Sequence, residues 1–173
     1  MILTGDSIFA MLKEKRIVIE PFCESYLEPN SYAFHLGEKL LEYSEEVVDA
    51  RQTSATREVL IPEEGLILEP GRFYLGHTLE RIGGVTFTSE LFANRSISTL
   101  GIWVQTSAPL GHVGSVIRWT LEICVAQSIR VYAGMRMGKI CFWGNLGRIS
   151  PYEGRYVKST SVVASKSFLD EEK

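Results

Sequence analysis

From residue 16 onward the chain is built of short apolar runs broken by turn residues. The runs "RIVIEPF", "SYAFHLG", "KLLEYS", "EVLIP", "LILEPG", "RFYLGHTLE", "VTFTSELFA", "GIWVQTS", "SVIRWTLEICV", "SIRVYAG" and "GKICFW" are rich in Val, Ile, Phe, Tyr and Trp. Such residues fit a pleated, packed surface. Pro62, Pro70, Gly71, Gly83, Gly84, Gly134 and Gly144 punctuate them. Many short strands with little helix predict an all-β barrel or sandwich. Ahead of them, Ile8, Met11 and Leu12 recur at helical spacing behind Thr4 or Asp6, predicting a short capped helix that ends by Lys15. Residues 46–58 read as a polar loop. No repeat or linker divides the chain, so residues 1–173 are expected to form one domain, with 151–173 as a tail that is either mobile or folded over a partner.

One run carries a charge where a core strand should not. In "RWTLEICV", residues 118–125, alternation puts Trp119, Leu121, Ile123 and Val125 on one face. Arg118, Thr120, Glu122 and Cys124 share the other. A buried carboxylate without a partner is costly. The Glu122 face is therefore either solvent or the lining of a site, where a carboxylate in a partly dry pocket can serve as a general base.

Composition narrows the function. At 173 residues, 45% hydrophobic and 23% charged, the chain can bury a real core. A net charge of −3 and an isoelectric point near 5.7 argue against a nucleic-acid or anionic-membrane binder. No apolar stretch approaches the roughly 18 residues of a membrane span, and the first residues lack the pattern of a signal peptide. A soluble, cytoplasmic protein is expected. Cys23, Cys124 and Cys141 are odd in number and show no CxxC spacing, and His35, His77 and His112 are scattered. Neither a disulfide scaffold nor a zinc site is predicted.

Two polar segments offer further chemistry. "ANRSIST", residues 93–99, places the guanidinium of Arg95 beside the hydroxyls of Ser96 and Ser98, which suits a phosphate, although serine-rich turns are common. "YEGRYVKSTS", residues 152–161, interleaves Tyr152 and Tyr156 with Arg155 and Lys158. It is either a solvated tail or a flap that closes over a nucleotide.

Taken in order, "MILTGDSI", "KRIVIEPF", "PNSYAFHLG", "TLERI", "NRS", "TSA", "TLEI", "AGMRMGKICF" and "RYVKSTSVVAS" form a series covering nearly the whole chain. That series resembles the dCTP deaminase family of the dUTPase-like superfamily. The resemblance implies a mainly β fold, a distorted β-barrel or jelly-roll of the dUTPase-like type with a short N-terminal helix. It implies a homotrimer with active sites between subunits, acting on a pyrimidine nucleotide without zinc; the charge and hydropathy already predict no nucleic-acid or membrane partner. Glu122 falls on the strand glutamate that activates water for attack on C4 of cytosine, converting dCTP to dUTP and ammonia. Arg95 and Ser96 fall on the pair that contacts phosphate and organises the site, with Ser98 beside them. Ser107 and Ala108 match the segment that reads the base. Arg155 and Tyr156, with Lys158, match the tail that closes over the triphosphate, which Mg2+ normally accompanies.

Several positions depart from the family pattern. The motif Arg-Ser-Ser-Leu-x-Arg-Leu-Gly becomes "RSISTLG", one residue shorter, with Thr99 nearest its second arginine. His112 replaces an aspartate that holds the sugar, Ser159 a tail glutamine, and Ala33 an early aspartate. Losing a guanidinium at the reacting centre would cost about 3 kcal/mol, by analogy with one oxyanion donor. Arg118 and His112 are candidate substitutes. The alternatives are a hydrolase of the same fold acting on another nucleotide, and a non-catalytic nucleotide-binding or regulatory homologue.

Overall fold

Helix α1, Gly5–Lys13, starts where the Thr4 hydroxyl accepts the amide of Ser7 at 3.3 Å, so the cap is Thr4 and Asp6 lies in the first turn. The protein is described here by a computed structural model covering residues 1–105 and 107–170. After α1 come β1 (Ile17–Glu20), β2 (Leu27–Glu28), β3 (Ser31–His35), β4 (Lys39–Tyr43) and β5 (Thr56–Leu60). There follow β6 (Leu66–Leu68), β7 (Tyr74–His77), β8 (Arg81–Gly84) and β9 (Thr88–Ala93). A short helix α2 (Arg95–Thr99) precedes β10 (Ile102–Trp103), β11 (Leu110–Gly111), β12 (Thr120–Val125), β13 (Ile129–Val131) and β14 (Arg136–Trp143).

The strands form two five-stranded sheets, ordered β10-β12-β7-β4-β5 and β11-β9-β14-β3-β2, with two-stranded ribbons β1-β8 and β13-β6. The fold is mainly β, as the punctuated runs predict. The apolar runs overestimate strand length: among the described residues of "GIWVQTS", only Ile102 and Trp103 pair. Four features carry little apolar signal and are absent from the sequence reading: β2, the glycine-rich β8, the two-residue β11 and the helix within "ANRSIST". The predicted 46–58 loop ends earlier, because Thr56 already pairs with Tyr43.

Ile8, Ile17, Phe34, Leu40, Ile82, Leu121, Ile140 and Phe142 are among the side chains of the central apolar core. The predicted inner face of β12 belongs to it, since Trp119, Leu121, Ile123 and Val125 are all buried. Among the described residues no helix is long and apolar enough to cross a membrane.

Polar groups inside the core are tied into one network at the approach to β12. The Trp119 amide donates to the Thr78 hydroxyl at 2.9 Å, and that hydroxyl donates to the Glu80 carbonyl at 2.8 Å. The Trp119 indole N–H donates to the Ile82 carbonyl at 2.8 Å. The Glu80 carboxylate accepts the His35 amide at 3.0 Å and lies 2.6 Å from the His35 ring nitrogen Nδ1. This network fixes where β12 begins, and so where Glu122 points. Thr78→Val keeps the shape but strands the Trp119 amide and the Glu80 carbonyl. It is expected to lower unfolding free energy by about 1–3 kcal/mol in urea titrations. A loss below about 0.5 kcal/mol, the size of an ordinary surface change, would show that the network does not hold the strand.

Candidate active site

Glu122 stands on the outer face of β12, half-buried, directly across from Leu75 of β7. Its neighbours on that face come from three strands of one sheet: Thr120 on β12, Leu75 on β7 with Phe73 just before it, and Tyr43 on β4. These residues floor a cleft of about 480 Å³, a volume suited to a small ligand. Gly111 forms part of the wall, and a Cβ there would overlap the Trp119 ring, so glycine lets that indole pack beneath the cleft. The charge that looks misplaced in "RWTLEICV" faces this cleft.

Glu122 is gripped from the segment between β10 and β11. The Ser107 amide and the Ser107 hydroxyl each donate to Glu122 Oε2 at 3.2 Å. Two donors on one oxygen fix the carboxylate's orientation. Ala108 and Gln105 line the same cleft, and the Gln105 amide nitrogen donates to the Ala108 carbonyl at 2.7 Å. His112 also lines it, stacked on Tyr152 with ring centroids 5.4 Å apart.

The tail closes the mouth. Tyr152 N–H donates to the Val113 carbonyl at 2.7 Å, and Arg118 N–H to the Ser159 carbonyl at 3.1 Å. Farther on, Val163 N–H donates to the Thr120 hydroxyl at 3.1 Å and Ser165 N–H to the Tyr43 hydroxyl at 3.0 Å. The described tail is thus laid across the cleft of its own chain. The tail is also tied to itself. The Arg155 guanidinium donates to the Lys166 carbonyl and the Asp170 carboxylate, and the Lys166 amide donates to the Tyr156 hydroxyl at 3.0 Å.

Of the residues singled out in the sequence, Glu122, Ala108, His112, Tyr152, Tyr156 and Ser159 line the cleft, with Ser107 bonded to Glu122. Arg155 holds the tail together, and Lys158 is exposed on it. Arg95, Ser96 and Ser98 lie elsewhere, on α2, where the Asn94 side chain accepts the Ser96 amide and the Ser98 hydroxyl donates to the Asn94 carbonyl at 3.1 Å. Thr99 turns its hydroxyl back to the Ser96 carbonyl at 3.0 Å. Arg118 does not line the cleft. Sequence reasoning missed Tyr43, Phe73 and Gln105, which reach the cleft only through long-range pairing or loop path; Thr120 was legible as the neighbour of Glu122 on one strand face. His77, one of the scattered histidines, is buried, and that burial pushes its imidazole below the ordinary value. No cluster of three or more His, Cys, Asp or Glu able to hold a metal occurs among the described residues.

A model of the family described as dCTP deaminase-like matches residues 2–145. A protein of Clostridium acetobutylicum named "dCTP deaminase, dUMP-forming" is 39% identical over 171 residues, covering 98% of both chains. One of the same name from Leptospira biflexa is 41% identical over 174 residues, covering 100% of this chain and 99% of that one. Among solved structures, the 2'-deoxycytidine 5'-triphosphate deaminase from Agrobacterium tumefaciens matches with a TM-score of 0.64 at 21% identity. That match covers 82% of this chain and 47% of the other, so this chain spans about half its length, and the likeness concerns the fold.

The cleft's closure generates a test. Thr120→Val removes the hydroxyl that accepts the Val163 amide. Tryptic cleavage at Arg155, Lys158 and Lys166 should then quicken about tenfold, the equivalent of one lost hydrogen bond. An unchanged rate would mean that other contacts hold the tail.

Proposed function

The chain belongs to the dCTP deaminase-like family, and we propose that it hydrolyses dCTP to dUMP, with Glu122 as the general base of the deamination. The observation that carries this is Glu122 held by both Ser107 donors on the floor of a cleft that the tail covers. In the deamination, Glu122 takes a proton from water while the oxygen bonds to C4 of cytosine. The tetrahedral adduct then expels ammonia, with the proton returned through the same carboxylate. A covered cleft excludes competing water and strengthens the electrostatic contacts within it.

The end product differs from the dUTP expected at first, because the similar proteins of Clostridium acetobutylicum and Leptospira biflexa are named as dUMP-forming. Reaching dUMP requires a second hydrolysis, in which water cleaves the bond between the α- and β-phosphates and releases diphosphate. The balance is dCTP and two waters giving dUMP, diphosphate and ammonia. Magnesium enters as part of the substrate, bound to its phosphates.

The site is completed by a second copy of the chain. Arg95, Ser96 and Ser98 are exposed on α2, outside their own chain's cleft, and exposed Phe92, Leu100 and Trp103 surround that helix in sequence. In a homotrimer those apolar groups would be covered, and Arg95 with Ser96 would reach a neighbour's phosphates and reacting centre.

Purified protein incubated with magnesium and dCTP should release ammonia, diphosphate and dUMP. Glu122→Gln, which cannot take the proton, should slow ammonia release by at least about 100-fold. No ammonia from wild type, or an active Glu122→Gln variant, would sink the reading; dUTP accumulating without dUMP would remove the second hydrolysis. The shared site is tested by mixing inactive Arg95→Ala and Glu122→Gln chains after unfolding and refolding together. Mixed trimers contain some sites with both residues intact and should recover part of the activity. No recovery, with mixed trimers confirmed by mass, would place each site within one chain.

A further inference from the structure

Gln105 occupies a backbone conformation that its side chain does not explain. Its φ is 55°, in the left-handed region that glycine and asparagine tolerate better than a long side chain. Its amide nitrogen donates to the Ala108 carbonyl at 2.7 Å. A carbonyl can only accept, so that bond sets the amide's orientation and directs Oε1 elsewhere. Oε1 is buried and has no hydrogen-bond partner among the described residues. A strained backbone and an unmet buried acceptor on one residue are costs that packing alone would be expected to remove.

What this arrangement delivers is the grip on Glu122. Ala108 follows Ser107 directly, and Pro109 after it has a fixed φ and restricts Ala108. The Pro109 carbonyl accepts the Leu91 amide at 3.0 Å, which anchors the far end. The bond from Gln105 to Ala108 anchors the near end. Between these two ties sits Ser107, whose amide and hydroxyl both reach Glu122 Oε2.

We propose that Gln105 is a positioning residue for Glu122, acting through Ser107. This rests on Glu122 being the deaminating base. Strain at Gln105 is retained because releasing it would let Ser107 drift from the carboxylate, and small displacements at a reacting centre are costly.

Two variants test it. Gln105→Met removes the amide at similar length; Gln105→Gly removes it and also relieves the backbone, since glycine adopts this φ freely. Both are expected to lower kcat for ammonia release about ten- to a hundredfold with KM little changed. Gln105→Gly should do so without a lower melting temperature. In a Ser107→Ala background the effect of Gln105→Met should shrink at least about threefold, because part of what Gln105 positions is already gone. Unchanged kcat, a change confined to KM, activity that merely follows thermal stability, or full additivity with Ser107→Ala would each overturn the proposal. Wild type releasing no ammonia would instead defeat the reading of Glu122, a result obtained without either variant.

Discussion

The register of β12 against β7 is the constraint on which the rest depends. With Leu121 opposite Gly76 and Glu122 opposite Leu75, Leu121, Ile123 and Val125 of the strand, with Trp119 just before it, enter the core and the carboxylate faces the cleft. A slip of one residue would exchange the two faces completely. It would expose Leu121 and Ile123, each worth about 1.5–3 kcal/mol when buried. It would also drive Glu122 into an apolar interior, at a penalty of several kcal/mol for an unpaired charge. The same burial that stabilises the sheet therefore aims the carboxylate.

The tail is organised by that same strand face. Thr120, two residues before Glu122, receives the Val163 amide, and the Arg118 amide is bonded to the Ser159 carbonyl. The cover is thus registered on the strand that bears the carboxylate. Inside the cover, the Arg155 guanidinium is engaged with Asp170 and the Lys166 carbonyl. A guanidinium so placed first serves the tail's own conformation, and a phosphate approaching it would compete with a carboxylate already there.

The shortened "RSISTLG" stretch finds a local solution. Asn94 caps α2, Thr99 closes back on it, and Gly101, at φ 86°, turns the chain into β10. The helix is only one short turn, Arg95–Thr99. Its one buried side chain is Ile97, while Arg95, Ser96 and Ser98 face outward. That outward presentation is what separates them from the cleft of their own chain.

By itself the sequence determined whatever depends on near neighbours along the chain. A cap at Thr4 or Asp6 was legible because a capping side chain needs to reach only two or three residues, and the structure selects Thr4. The two faces of β12 follow from its alternation, and most strand positions from apolar runs between turn residues. The order of motifs identified the family over nearly the full length. Tertiary structure alone decided what lies opposite what. That Leu75 faces Glu122 and that Tyr43 and Phe73 complete the floor depends on pairings between distant strands, which no local spacing encodes. That Arg155 bonds Asp170 rather than facing the cleft depends on how the tail turns back on itself. The left-handed backbone at Gln105 was invisible for the same reason: glutamine has no preference for that conformation, and nothing in the local sequence calls for it there.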